Sequence, residues 1–297
     1  DRRLYWRRLA AKKQLRNMLV DHLDSEQILS AFEHASRGIK GLTFSDQADI
    51  RVVVTGFDPF GLHEHIDQSN PSGLMALLLA GSQIPVGEQV AEVQTAILPV
   101  RFDDFDAGII ERIFEPLLSG HQVDLLLTVS MGRDGFDLER FPGRRRSSEM
   151  PDNLDRYSGG SADNPVIPRL YKDDLSGPEF VEFSLPVAAM ISVGGEFPIN
   201  DNRLVCTIEQ GEAMVNHLEE LDHTTSVRGS GGGYLSNEIS YRTLRLVRQL
   251  ANQPLVTHIR AGHIHTPRII GFEPDKVRRI TGQLQQMILA SIEAMGG

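Results

Sequence analysis

The chain has 297 residues, 40% of them hydrophobic, with a formal net charge of -10 and an isoelectric point near 5.5. That size and apolar content suit one large α/β domain or two modest ones with a full core, and the acidic balance argues against a general nucleic-acid binder. A lone cysteine, Cys206, excludes an internal disulfide framework and a multi-cysteine zinc site, and no apolar run approaches the ~20 residues that span a bilayer.

Residues 1–48 read as a helical N-terminal extension, and residues 49–297 as the main α/β body. Arg2, Arg3, Arg7, Arg8, Lys12, Lys13 and Arg16 alternate at helical spacing with Tyr5, Trp6, Leu9, Leu15, Met18 and Leu19. Asp24 or Ser25 could cap a second helix through Ile28, Leu29 and Phe32, giving a helical hairpin. Its basic face is expected to pack on the body or on another subunit rather than on a membrane or RNA, with Trp6 as the anchor. The chain opens on Asp1 without an initiator methionine, which leaves a removed upstream segment open.

Arg51–Gly56 is a β-branched run that predicts a buried first strand, followed by the loop Phe57-Asp-Pro-Phe-Gly61 and by Asn70-Pro-Ser72. Helices are expected over Leu74–Leu79 and Phe105–Leu118, and strands over Val93–Val100 and Val123–Ser130. Such alternation implies a mostly parallel twisted sheet covered on both faces, with its site at the strands' C-terminal ends. Residues 131–180 read as an excursion that covers a site. Further helices are expected from Ser184–Val187, over Glu209–Leu221 and over Pro274–Met295. A strand is expected over Leu255–Ile259, with Arg260-Ala-Gly262 as the turn that follows it.

The stretch from Gly229 to Leu244 organises the rest. Ser230–Gly233 is too glycine-rich for regular structure, and from Asn237 the apolar residues recur at helical spacing with Glu238 in the first turn. A Gly-rich loop feeding a helix N-terminus aims free N–H groups and the positive dipole end at one spot, which suits an oxyanion, a phosphate or a nucleophile. Ser236 sits there. On local sequence alone Ser236 or Asn237 reads first as an N-cap.

Taken in order, Gly-Phe-Asp-Pro-Phe-Gly, Asn-Pro-Ser, Leu-Glu-Arg, Pro-Asp-Asn, Leu-Pro-Val, Tyr-Leu-Ser-Asn and Ile-His-Thr-Pro make the chain resemble the type I pyroglutamyl peptidases over residues 51–270. The resemblance implies a three-layer α/β/α sandwich and a cysteine-peptidase mechanism with a Cys–His–Glu triad. It further implies no cofactor, a peptide or small acyl-amide substrate, a cytoplasmic setting and frequent tetramers, so that a homo-oligomer fits; no nucleic acid or membrane partner is expected. By motif, Glu139 and His265 fall on the acidic and histidine positions and Ser236 on the nucleophile. Phe57, Phe60 and Asn70 fall on the lactam pocket, with Arg133, Tyr234 and Leu235 beside it, and Gly232 and Gly233 on the oxyanion loop.

The chain departs from the family at several places. Ser236 replaces the cysteine, and Ser130-Met-Gly-Arg133 stands where the family has Gln-Ala-Gly-Gly-Arg. Arg144-Arg-Arg146 replaces a polar segment, residues 194–226 are longer, and residues 1–48 have no counterpart. If the arginine triplet reached the pocket, an acidic substrate would follow.

A cysteine at such a junction attacks as a preformed thiolate, whereas serine must lose its proton during attack, so His265 would act as base with Glu139 as its orienter. Ser236 admits three readings: a working nucleophile, a natural loss that leaves a binding protein, or a Cys-to-Ser replacement that silences the site. Without the resemblance, Glu139 reads as an ion-pair partner of Arg140 or Arg133. A metal hydrolase is the remaining alternative, because His63-Glu-His65 and His263-Ile-His265 each place two histidines on one strand face, with Asp134 or Asp137 as added carboxylates.

Overall fold

The computed structural model describes residues 1–20, 23–250 and 258–296. The N-terminal hairpin consists of α1 (Arg2–Met18) and α2 (Ser25–Ser36). Tyr5 and Arg8 lie one turn apart on its inner face and are buried. Trp6 is one residue out of phase and remains 39% exposed, so Tyr5 rather than Trp6 is the anchor. Arg8 and Arg37 both reach Asp58, at 2.9 and 2.8 Å, and all three side chains are buried. The hairpin thereby grips the Phe57–Gly61 loop, since leaving the Asp58 carboxylate buried without its cations would cost about 3–5 kcal/mol.

The body follows the expected alternation: β1 (Ile50–Phe57), α3 (Pro71–Leu79), β2 (Ser82–Val86), β3 (Gln89–Leu98), α4 (Phe102–Asp106), α5 (Ile109–Ser119) and β4 (Leu125–Met131). The single helix expected over Phe105–Leu118 is two, because Gly108 takes φ +74° between them. β1 lies between β3 and β4 and is parallel to both. The right-handed rule for crossovers, applied from β1 to β3 and then back to β4, predicts α3 and α5 on opposite faces. Val52–Val54 and Leu125–Leu127 are accordingly at most 1% exposed, as strands covered on both sides must be.

Within the excursion the chain forms β5 (Phe136–Glu139) and the short pair β6 (Arg169–Leu170) and β7 (Asp173–Asp174), then α6 (Val187–Ser192) and β8 (Ile199–Asn202). A second sheet follows, built from β9 (Leu204–Thr207), β10 (Gly211–Met214) and β11 (Ser226–Arg228) in the order β10-β9-β11. The helix expected over Glu209–Leu221 is therefore a hairpin strand and a 3₁₀ turn at Leu218–Leu221. Gly211 at φ +71° makes the reversal, and β10 alternates in burial as a strand does.

α7 (Leu235–Leu250), β12 (Arg260–Thr266) and α8 (Pro274–Gly296) complete the chain. Arg260-Ala-Gly262 is the start of β12 rather than a turn, and Leu255–Thr257 of the expected strand lie outside the described residues. Among the described residues the main sheet runs β2-β3-β1-β4-β12-β5-β8, parallel except for the β2–β3 and β5–β12 pairs. It is a mostly parallel sheet between helices, with the N-terminal helices added. No helix among the described residues is long and apolar enough to cross a membrane.

Candidate active site

A cleft of about 960 Å³ opens at the C-terminal ends of β1, β4 and β12, where a parallel sheet is expected to keep its site. Glu139, Ser236 and His265 all line it, as do Phe57, Phe60, Asn70 and Arg133. Tyr234, Leu235 and Gly232 also face it. Gly233 does not: a Cβ there would meet Ser147 Oγ at 2.1 Å, so this glycine serves packing. Gly232 has already spent its N–H on the Gly229 carbonyl at 2.9 Å.

His265 comes from β12 and Glu139 from the end of antiparallel β5. Their side chains meet diagonally across the ladder, His265 Nδ1 to Glu139 Oε1 at 2.5 Å. Asn202 Nδ2 donates to the other carboxylate oxygen at 2.8 Å. Glu139 is 1% exposed, and burial pushes its carboxyl above the usual range against the pull of His265. It pairs with neither Arg133 nor Arg140. Arg140 instead holds Asp201 and Glu182, and Arg133 reaches Asp137 at 3.4 Å.

His263 shares the face of β12 that carries His265, with ring centroids 5.0 Å apart and planes at 85°. It is fully buried between Thr128 Oγ1 at 2.9 Å and Ser130 Oγ at 2.8 Å, and burial, then the charge of His265, holds it well below the usual imidazole range. Both of its nitrogens are occupied by hydroxyls. His63 and His65 lie on an exposed turn, and among the described residues no group of three or more His, Cys, Asp or Glu side chains could hold a metal. The metal-hydrolase alternative has no ligand set there.

Ser236 is the second residue of α7, and neither it nor Asn237 is an N-cap. Asn237 instead clasps Gly143, accepting from its N–H at 2.9 Å and donating to its carbonyl at 2.7 Å. Glu238 N–H closes the first turn on the Tyr234 carbonyl at 3.1 Å. The N–H groups of Leu235 and Ser236 precede any intrahelical acceptor, and neither has a partner among the described residues; both residues line the cleft. Ser236 Oγ donates to the Gly231 carbonyl at 3.1 Å, its one side-chain hydrogen bond among the described residues.

Phe57 stacks on Phe105 at 6.3 Å, and Phe60 is half-buried. Asn70 caps α3, accepting from Ser72 N–H and donating to the Asp58 carbonyl at 3.1 Å, so its amide is committed to shaping the loop. Gln68, also in the cleft wall, spends its amide on the Ser69, Ile269 and Gly271 backbone.

The arginine triplet does not reach the cleft. Arg144 and Arg145 pair with Glu179 at 2.5 and 2.9 Å, and Arg146 pairs with Glu238 and Asp106 at 2.6 and 2.7 Å. Asn202 escaped sequence reading because only the parallel β5–β8 register sets it opposite Glu139. The longer segment is the second sheet, whose Leu204, Cys206, Glu212 and Arg228 form the far wall of the cleft.

The family model that matches the chain is the PA0049 C-terminal domain, over residues 51–168. Uncharacterized protein PA0049 of Pseudomonas aeruginosa is 32% identical over 168 residues, a match spanning 50% of this chain and 30% of that protein. A pyrrolidone-carboxylate peptidase of Yersinia pestis is 24% identical over 225 residues, 73% of this chain and 78% of the peptidase. A mutant pyrrolidone carboxyl peptidase from Pyrococcus furiosus superposes with TM-score 0.55 at 21% identity, covering 83% of this chain and 100% of its own. The chain thus has the α/β fold of the pyrrolidone-carboxylate peptidases and is related to them in sequence, as the motif order implied.

Proposed function

We propose that the cleft hydrolyses the amide bond after an N-terminal pyroglutamyl or related acyl-lactam group, with Ser236 as nucleophile, His265 as general base and Glu139 as its orienter. The observation that carries this reading is the Glu139–His265 hydrogen bond on the wall of a cleft that Ser236 also lines. The peptidase names of the relatives supply the acyl group. Residues 1–48 are then an extension that braces the substrate loop, and residues 49–297 the catalytic domain.

With Nδ1–H given to Glu139, Nε2 of His265 is left as the acceptor. Ser236 exchanges its bond to the Gly231 carbonyl for one to Nε2, and Oγ attacks the scissile carbonyl as Nε2 takes its proton. The N–H groups of Leu235 and Ser236 hold the oxyanion, each donor of this kind being worth about 3 kcal/mol. The C–N bond breaks as the imidazolium returns the proton to the leaving amine, and water cleaves the acyl-serine by the same route. Phe57, Phe60 and Tyr234 enclose the acyl ring.

The test is hydrolysis of a pyroglutamyl-aminocoumarin by this protein, Ser236→Cys and His265→Ala. Turnover by the serine form and none by His265→Ala is expected. Turnover by the cysteine form alone would make Ser236 a silenced nucleophile, and turnover by none of them would contradict the reading.

A further inference from the structure

We propose that Arg268, with Arg133 beside it, determines specificity on the leaving-group side of the cleft by holding a substrate carboxylate there; this rests on the hydrolase reading above. Arg268 N–H donates to the Arg133 carbonyl at 2.6 Å, which ties the two residues together at the ends of β12 and β4. Gly132 presses this junction onto the proposed base, since a Cβ there would stand 2.6 Å from His265 Cβ. Both arginines line the cleft and both are exposed, the Arg133 side chain at 66%.

Their charges are poorly met within the chain. The Arg268 guanidinium makes one long hydrogen bond, Nε to the Gly132 carbonyl at 3.5 Å, and no ion pair among the described residues. Arg133 has Asp137 at 3.4 Å. Glu64 and Asp67 line the same cleft, yet neither pairs with Arg268. Arg140, Arg144, Arg145 and Arg146, by contrast, each hold a carboxylate within 3.1 Å. Two arginines joined through the backbone at a cleft mouth, Arg268 without an ion pair among the described residues and Arg133 with only Asp137 at 3.4 Å, create a positive field that a carboxylate relieves, with bidentate geometry available. On the reading above Phe57 and Phe60 enclose the acyl ring, and the anion is accordingly assigned to the leaving group.

The carboxylate has two sources: the terminus of a two-residue substrate, or an acidic side chain just after the scissile bond. Steady-state rates of the full chain on pyroglutamyl-alanine and its amide, and on pyroglutamyl-aspartate α-amide and the corresponding diamide, separate them. The free acid should show a KM about fivefold below that of the amide, with kcat unchanged. Arg268→Gln should abolish the difference, Arg268→Lys should keep most of it, and about 0.5 M salt should shrink it. The diamide of aspartate serves as the neutral control, and pyroglutamyl-aspartate α-amide, with its side chain ionised, shares the advantage only if a side-chain carboxylate suffices. Equal KM within both pairs, the alanine acid and amide and the aspartate α-amide and diamide, or a difference that survives Arg268→Gln, overturns this inference and leaves the hydrolase reading standing. No turnover of any of these substrates overturns both.

Discussion

Two buried glutamates meet opposite surroundings. Glu238, in the first turn of α7, would be raised by burial, but Arg146 and Arg242 more than offset that and hold it below the usual carboxylate range. Glu139, at the cleft, has one imidazole and one amide for partners, and there burial wins and raises it. A carboxylate locked as an anion by two guanidinia serves structure. A carboxylate balanced against a single histidine is one whose charge a reaction can use.

The largest effect expected from this contrast is catalytic. Glu139→Gln should lower kcat/KM by about 10,000-fold, because the amide no longer enforces the imidazole tautomer, while circular dichroism stays unchanged. Next comes stability. Glu238→Gln leaves Arg146 and Arg242 buried with only the carboxylates of half-buried Asp106 and buried Glu111, and should cost about 3–5 kcal/mol in urea unfolding.

The two sites should also respond to pH with opposite sign. Glu238 has a lowered folded pKa, so its contribution is present above the ordinary value of 4.5 and is lost as pH falls through the folded one. Glu139 has a raised folded pKa, so its contribution is present below 4.5 and is lost as pH rises through the folded one. Urea midpoints from about pH 2 to 8 should therefore show the Glu238→Gln deficit shrinking as pH falls below 4.5. Glu139→Gln should gain on wild type as pH rises. Gaps that move in the same direction would break the comparison. The smallest effect belongs to Arg145→Gln, whose half-buried pair with Glu179 is worth less than about 1 kcal/mol; its KM for anionic substrates should not change.

The parallel body was legible because its signals are local. The runs at Val52–Val54, Leu74–Leu79 and Leu125–Leu127 declare themselves within a few residues, although α3 starts three residues earlier than expected, at Pro71. Motif order brought Glu139, Ser236 and His265 to attention, and all three line one cleft. What stayed hidden depends on pairing between distant segments. β5 is four residues long and pairs antiparallel in a mostly parallel sheet, so it read as loop, and Asn202 has meaning only once β8 lies beside it. The Arg144–Arg146 triplet looked like a ligand site because its carboxylates lie at Glu179, Asp106 and Glu238, far away in sequence. Glu209–Leu221 has helical composition, yet Gly211 turns it back as a hairpin.

The most direct test of the central claim is to trap the acyl-enzyme. The protein, mixed briefly with an activated pyroglutamyl ester and quenched in acid, should carry one pyroglutamyl group on the peptide containing Ser236 by mass spectrometry, and none in His265→Ala. Absence of the adduct in the native chain, its appearance on another residue, or its persistence without His265 would contradict the account.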